Sequence, residues 1–268
     1  MSLRIQNNIA AFDAERNLTG TSNRLQQSMA RLSSGYRINT AADDAAGLAI
    51  SEKLRAQIGG LQQANSNAQD SISLVQTAEG SLNEVHSMLQ RVRDLAVQYK
   101  NGTLSTTDRS AIQSEVNQLG SEIERIGQSA AFNGISLLAA ATTITFQIGA
   151  NDGDSISVST ISLGSAVSSS VFTLAVNGSA DISEIDGAIN AVSAQRATFG
   201  AVQNRLEHSI NNLSTYQENL TASESQIRDV DMASEMVEFT KDQILQQAGT
   251  SMLSQANQLP NSVLSLLR

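Results

Sequence analysis

The chain has 268 residues, a formal net charge of −9 at pH 7 and only 3% aromatic residues. Such an acidic chain lacks the basic face with which proteins bind nucleic acid or anionic membranes, which argues against both classes of partner. It contains no cysteine, which excludes disulfides, and no apolar run of the length that spans a bilayer. Its first residues lack the apolar core of a cleaved signal peptide, so we expect a secreted form to use another export route.

Residues 4–33 are predicted to form a helix with one narrow apolar stripe. Its apolar side chains recur at spacings of three, four and seven residues, which is typical of a coiled-coil seam. The predicted seam residues are Ile5, Ile9, Phe12, Leu18, Leu25 and Leu32.

A much longer helix is predicted for residues 43–100. We expect Thr40 and Asp43 to begin it as a capping box and Asn101-Gly102 to end it. The pair Gly59-Gly60 costs about 2 kcal/mol inside a helix and predicts a bend there. Apolar residues nevertheless recur every seven positions along its length, at Leu54, Leu61, Ala68, Val75, Leu82, Leu89 and Ala96.

A third helix is predicted for residues 107–131, followed by a β element within residues 140–180. The segments TITFQI (143–148) and SISV (155–158) alternate between apolar and polar residues, and VFTLAV (171–176) is a short apolar run. Glycine, asparagine and serine separate the three segments, so we expect two or three hairpin-connected strands. An element this small must pack on the helices to be stable.

Apolar residues recur at helical spacing over residues 181–228 and again over residues 229–268, so a helix is predicted for each range. The first of these helices carries Ile185, Val192, Phe199, Leu206 and Leu213 at intervals of seven. The last helix is predicted to contribute Ile244, Met252 and Leu259 to the seam with the first helix. The fold class is therefore mainly α: an elongated antiparallel coiled-coil or helical-bundle rod with a small β-hairpin element and termini paired as a coiled coil.

Such a fold leaves two interpretations open. Each terminal helix buries a single stripe, so the pair is expected to be marginal in a monomer and to gain burial from neighbouring copies in a helical polymer. A stable intramolecular coiled coil that does not polymerise explains the same spacing equally well.

Several longer segments resemble the bacterial flagellin family. They are LSSGYRINTAADDAAGLAIS (32–51), SLVQTAEGSLNEVHSMLQRVRDLAVQ (73–98), FQIGAND (146–152), GAVQNRLEHSINNL (200–213) and QILQQAGTSMLSQANQLPNSVLSLLR (243–268). The resemblance covers both helical arms and favours the polymer.

The resemblance implies a structural subunit of the flagellar filament. Residues 1–42 and 229–268 would form the inner D0 domain, and residues 43–228 the D1 domain around it. Only about 45 residues separate the arms, so the outer domains D2 and D3 are expected to be absent. The family also implies export by the flagellar type III apparatus, and partners that include an export chaperone, the cap protein and the hook-junction proteins.

The resemblance further implies sites for host receptors. The matching motifs place the contact for the Toll-like innate immune receptor for flagellin, which the family also uses between subunits, at Arg91, Leu95, Gln98 and Glu115. We expect Leu95 to be an apolar side chain beside the helix seam that favours a contact. Residues that resemble the segment read by cytosolic sensors and by the chaperone are Leu264, Leu266, Leu267 and Arg268, for which packing inside the filament is the stronger interpretation.

No catalytic site, metal site or cofactor is predicted. The two histidines, His86 and His208, are far apart in sequence, and neither a phosphate-binding glycine loop nor an HExxH motif occurs. The alternatives to a filament subunit are a hook–filament junction protein and a secreted coiled-coil adhesin. The serines and threonines at 155–170 are a hypothetical site for O-linked sugar.

Overall fold

The computed structural model describes residues 8–167, 169–175 and 181–266. The chain divides into two compact units. Residues 1–56 and 219–268 form the terminal unit, and residues 57–218 form the central unit. Two long helices contribute to both: α2 (Ala45–Tyr99) and α5 (Asp181–Arg228).

The fold is mainly α with a small antiparallel hairpin, as predicted. The remaining helices are α1 (Ile9–Ser34), α3 (Thr106–Ser129), the four-residue α4 (Leu163–Ala166) and α6 (Met232–Leu266). The predicted helix bounds are confirmed to within a few residues where the structure describes them. The loops between α1 and α2 and between α5 and α6 both lie in the terminal unit, which also includes the adjoining ends of α2 and α5. The division into D0 and D1 near residues 42 and 229 stays a prediction.

In the central unit, α2 and α5 run antiparallel. Ion pairs fix their register: Arg93 to Asp186 at 2.6 Å, Lys100 to Asp181 at 3.6 Å and Arg196 to Glu79 at 3.8 Å. The predicted seven-residue spacing is confirmed as the core of this unit. Buried seam positions include Leu61, Val75, Leu82, Leu89, Ile185, Val192, Phe199 and Leu206.

The helix starts are partly as predicted. Ser105 and Asp108 form a complete capping box at α3, and their hydrogen bonds lower the pKa of the Asp108 carboxyl. The cap predicted for α2 is wrong, because Asp44 accepts the amide of Gly47 at 2.9 Å and α2 begins only after it. Thr40 instead donates its amide and hydroxyl to the Asp43 carboxylate in the preceding turn.

Two hairpins lie between α3 and α5, and only the second falls within the predicted β element of residues 140–180. The first, which the sequence did not predict, pairs β1 (Ala131–Phe132) with β2 (Ile135–Ser136) around Asn133-Gly134, whose φ angles are 48° and 79°. The second pairs the predicted strands β3 (Thr143–Gln147) and β4 (Ser155–Ser159), with Phe146 opposite Ile156. Gln195 of α5 donates to the Ser159 carbonyl at 2.8 Å and holds this hairpin on the helices.

The third predicted strand, 171–176, is wrong over the residues that the structure describes. Ser169–Phe172 is a 3₁₀ turn, and Ala175 is not in a strand. The Gln113 side chain replaces a neighbouring strand, because its amide donates to the Phe172 carbonyl at 2.6 Å and its oxygen accepts the Leu174 amide at 3.1 Å. The apolar side chains of this run serve as core: Val171 and Leu174 are buried.

Candidate assembly and recognition surfaces

The terminal unit is built on the pair α1 and α6, which pack antiparallel as predicted. Three contacts fix their register. Asn8 donates to the Ala256 carbonyl at 2.8 Å, Arg24 lies 3.4 Å from Asp242, and Arg31 lies 3.8 Å from Glu235. The inward positions of both helices alternate at spacings of three and four, as in a coiled coil.

The interior of this pair is small and polar. Its buried side chains in the described residues are Thr21, Ser28, Asp242 and Ala256. Leu18, Leu25 and Leu32 are half-buried at the seam. Leu18 lies opposite Gly249, where an added Cβ would be 3.2 Å from the leucine methyl. The pair therefore buries little bulky apolar surface, because close backbone approach and ion pairs replace large side chains at its centre.

A second apolar stripe runs along the outer face of α6. This outer stripe consists of Val237, Ile244, Leu245 and Met252, and Ile244 is 66% exposed. Ile244 lies two residues beyond the buried Asp242 and two before the half-buried Gln246, which places it on the opposite side of a 3.6-residue helix. The terminal helix that carries this stripe thus presents apolar side chains on two faces.

The predicted terminal seam needs correction at four positions. Ile9, Phe12, Ile244 and Met252 are exposed and do not lie between α1 and α6. Sequence spacing could not identify the inward face of α6, because polar residues such as Asp242 and Gln246 occupy part of it while the outer stripe is apolar. Ile5 lies outside the described residues, and so does the side chain of Leu259.

The loops that follow α1 and α5 are joined at one place in the terminal unit. Backbone bonds run from the Arg37 amide to the Arg228 carbonyl at 2.7 Å and from the Val230 amide to the Gly35 carbonyl at 3.0 Å. The Arg228 guanidinium lies 4.8 Å from the centre of the Tyr36 ring and 2.6 Å from Glu52. The hydrogen bond from Arg228 lowers the pKa of the Glu52 carboxyl. We call this set of contacts the joint.

The predicted receptor residues fall into two environments in the central unit. Arg91 donates through Nε and Nη2 to one Glu115 oxygen, at 2.9 and 2.8 Å, and both side chains are largely exposed. Gln98 is also exposed. Leu95 is 2% exposed and belongs to the same core cluster as Val92 and Ile112. The interpretation of Leu95 as an apolar side chain available to a partner is therefore wrong for the free chain, because α3 packs over that flank of α2.

The predicted C-terminal sensor and chaperone segment lies at the end of the chain, outside the residues whose side chains the structure describes. Helix α6 extends to Leu266, but the side chains of Leu264 and Leu266 lie outside the described residues, as do Leu267 and Arg268 altogether.

One groove of about 690 Å³ in the central unit was not predicted. Its floor includes Leu61 and Ile156, and its rim includes Arg205, His208 and Tyr216. The described part of the chain contains no cluster of three or more potential metal-ligating side chains. None of its helices has an apolar stretch that meets the requirements of a membrane span.

Two family models match the N-terminal and the C-terminal parts of the chain. The bacterial flagellin N-terminal helical region matches residues 5–143, and the bacterial flagellin C-terminal helical region matches residues 182–267.

Curated relatives match along almost the whole chain. A flagellin of Halalkalibacterium halodurans is 52% identical over 270 residues, which cover 98% of this chain and 99% of the relative. A flagellin of Bacillus subtilis is 49% identical over 304 residues, covering 99% and 100%. A flagellar filament 33 kDa core protein of Treponema phagedenis is 45% identical over 284 residues, covering 98% and 99%. The crystal structure of Bacillus cereus flagellin superposes with a TM-score of 0.51 at 32% identity, covering 59% of this chain and 94% of that one.

Proposed function

This chain belongs to the bacterial flagellin family and is a structural subunit of the flagellar filament, and we propose that α1 and α6 make the contacts that join its copies. In this proposal the terminal helices correspond to the inner D0 layer, and residues within 43–228 to the D1 layer. The short connection between the helical arms supports a filament without D2 and D3.

The outer stripe of α6 is the observation that carries the proposal. Val237 and Ile244 are 65% and 66% exposed, although isoleucine and valine are among the side chains most often buried. Full burial of a side chain of this size contributes about 1.5–3 kcal/mol. On α1, Ile9 and Phe12 are also exposed apolar side chains, so both helices of the pair offer apolar surface to a neighbour.

A second copy of the chain is the occupant that fits this surface. The terminal pair already fills its own seam, so the outer stripe is free to pack against another copy's helices. A contact between different patches of two identical chains repeats without limit when its rotation does not close a ring. The result is a helical filament outside the cell.

We also propose export by the flagellar type III apparatus, with an export chaperone, the cap protein and the hook-junction proteins as partners. Membership of the flagellin family supports this route. A readout is secretion of the chain by cells with and without a functional flagellar export apparatus, at equal cellular expression. Secretion that persists without the apparatus would refute the route.

We further propose that the free monomer is recognised by the Toll-like innate immune receptor for flagellin. The exposed Arg91–Glu115 pair and the exposed Gln98 support a polar contact, whereas Leu95 would act by supporting the fold. Because the same surface is expected to join subunits, only the free chain would be recognised.

The assembly role is tested by placing charge on the outer stripe. The double variant Val237→Asp and Ile244→Asp should fold but fail to extend filament seeds, because a carboxylate buried at an interface must be desolvated without a partner. Electron microscopy of seeded growth measures the length added. The control Ile135→Asp places one carboxylate on an exposed apolar side chain of the central unit and is matched in charge to each of the single variants Val237→Asp and Ile244→Asp, which are measured beside the double variant. Normal growth of the double variant would contradict the proposal.

A further inference from the structure

Methionine is concentrated on the surface of the terminal helices. The chain has six methionines, and four of them are largely exposed on α1 and α6: Met29 at 54%, Met232 at 49%, Met236 at 46% and Met252 at 65%. The central unit contains only Met88, which packs half-buried against its core. Methionine is normally a core residue, so its exposure here needs an explanation.

The four methionines lie at the edges of the terminal pair and on the outer stripe. Met29 follows the buried Ser28 by one residue, and Met236 follows the inward Glu235 by one residue. In an antiparallel pair these positions lie on the same flank of the seam. Met252 belongs to the outer stripe, and Met232 is the first residue of α6.

The inward positions of the same pair contain no methionine in the described residues. From Leu18 to Leu32 and from Glu235 to Ala256, the inward side chains are those of Leu, Thr, Ser, Glu, Phe, Asp, Gln, Gly and Ala. A chemical change confined to methionine therefore alters the exposed surface of the pair and leaves its inward positions unchanged.

We propose that Met29, Met232, Met236 and Met252 form an oxidation site through which peroxide blocks assembly of the free chain. The inference rests on the proposed assembly role of the terminal helices. Each thioether sulfur attacks one oxygen of hydrogen peroxide, so that an S–O bond forms as the O–O bond breaks. The proton on the newly bound oxygen passes to the departing hydroxide, which leaves as water. The sulfur loses two electrons to become a sulfoxide, and the peroxide is reduced.

The sulfoxide opposes assembly for a simple reason. Oxidation converts the flexible apolar side chain of methionine into a polar one, whose sulfoxide oxygen is a strong hydrogen-bond acceptor. Burial against the apolar surface of a neighbouring copy would then desolvate that oxygen without a donor. In the filament the same side chains would be covered, so the chain would be sensitive to peroxide before assembly and protected afterwards.

The test compares seeded growth of the full chain before and after treatment with hydrogen peroxide. Intact mass counts the oxygens added, and peptide mapping assigns them to methionines. We expect the oxidised chain to keep its helical circular dichroism and to extend seeds at least about tenfold more slowly. Treatment with methionine sulfoxide reductases of both stereochemical classes should restore growth.

Variants assign the effect to these side chains. A variant with Met29→Leu, Met232→Leu, Met236→Leu and Met252→Leu should extend seeds equally before and after peroxide. The matched control Met88→Leu should remain as sensitive as the wild type. Normal growth of fully oxidised wild type, or equal inhibition of the fourfold variant, would overturn the oxidation site alone. If the untreated wild type fails to extend seeds, the assembly role fails, and the oxidation site fails with it.

Discussion

Arg91 and Leu95 are one helical turn apart on α2 but have opposite roles in the structure. Arg91 pairs with Glu115 at 2.8 Å in solvent, where an ion pair contributes little to stability. Leu95 is buried in the central core, so its removal leaves a cavity. A loss of receptor signalling on substitution of either residue would thus have different physical causes.

Substitution by alanine should separate these causes. Arg91→Ala should keep the thermal midpoint and reduce signalling in cells that carry the flagellin receptor. Leu95→Ala should lower the free energy of unfolding by about 2–5 kcal/mol. The control for Arg91 is Arg125→Ala, because Arg125 is also exposed and ion-paired, with Glu122 on α3. Equal signalling by the Arg91 and Arg125 variants would contradict the proposed recognition surface.

Glu52 makes the joint sensitive to acid. Its hydrogen bond from Arg228 lowers the pKa of the carboxyl in the folded state below that in the unfolded state. The stability that the ionised carboxylate contributes is therefore fully present above its unfolded pKa. It is lost as the pH falls through the lowered folded pKa.

Hydrogen exchange at the two backbone amides of the joint measures this loss. Protection factors of the Arg37 and Val230 amides should fall as the pH is lowered through the acidic range of carboxyl titration. In Glu52→Gln the protection factors of these two amides should already be lower at neutral pH. They should also change less with pH, because no carboxylate remains at position 52 to be protonated. The exposed Glu15→Gln serves as the control on α1. A pH dependence in Glu52→Gln as steep as in the wild type would exclude this role.

At the scale of elements, α3 depends on two glycines for its contact with the connection between β4 and α5. A Cβ added at Gly120 would lie 2.8 Å from the Phe172 ring, and one at Gly127 would lie 3.2 Å from Leu163. The glycines lie seven residues apart, so both fall on the face of α3 that the connection covers. Glycine lowers the helix propensity of α3 at these two positions, but its lack of a side chain lets Phe172 and Leu163 pack close to the helix backbone.

A pair of glycine substitutions tests this exchange. Gly80→Ala, at a helical position with no atoms near the added methyl group, should stabilise the chain by about 1 kcal/mol. Gly120→Ala should instead destabilise it by about 1–2 kcal/mol, because the Phe172 ring must move. Denaturant unfolding gives both values. Stabilisation by Gly120→Ala as large as by Gly80→Ala would show that the contact is loose.

The sequence predicted correctly those helices whose apolar residues recur at a regular spacing because one face of the helix is buried. The heptad positions from Leu61 to Ala96 are buried because one stripe of α2 packs on one core. The run 171–176 failed, since an apolar segment is compatible with a strand and equally with a turn held by the Gln113 side chain. The seam of α6 failed because small or polar residues such as Asp242, Gln246 and Gly249 occupy inward positions, whereas Val237, Ile244 and Met252 are exposed. Tertiary partners decided both cases.

At the scale of the whole molecule, the two units differ in where they place large apolar side chains. Of the thirteen such side chains that are exposed among the described residues, ten lie in the terminal unit and only Val97, Ile135 and Tyr216 in the central unit. The central unit buries nearly all of its large apolar side chains within itself. In the proposed filament, other copies cover the apolar surface that the terminal unit exposes, so that one chain serves as both a folded subunit and a filament component.

A high-resolution electron cryomicroscopy reconstruction of the filament tests this account most directly. The quantity to measure is the exposure of Val237, Ile244 and Met252 in the assembled chain. We predict that all three are buried by α1 or α6 of neighbouring copies, without a change in the Arg24–Asp242 and Arg31–Glu235 register of the terminal pair. A filament in which the outer stripe remains exposed and only residues 57–218 join the subunits would contradict the account.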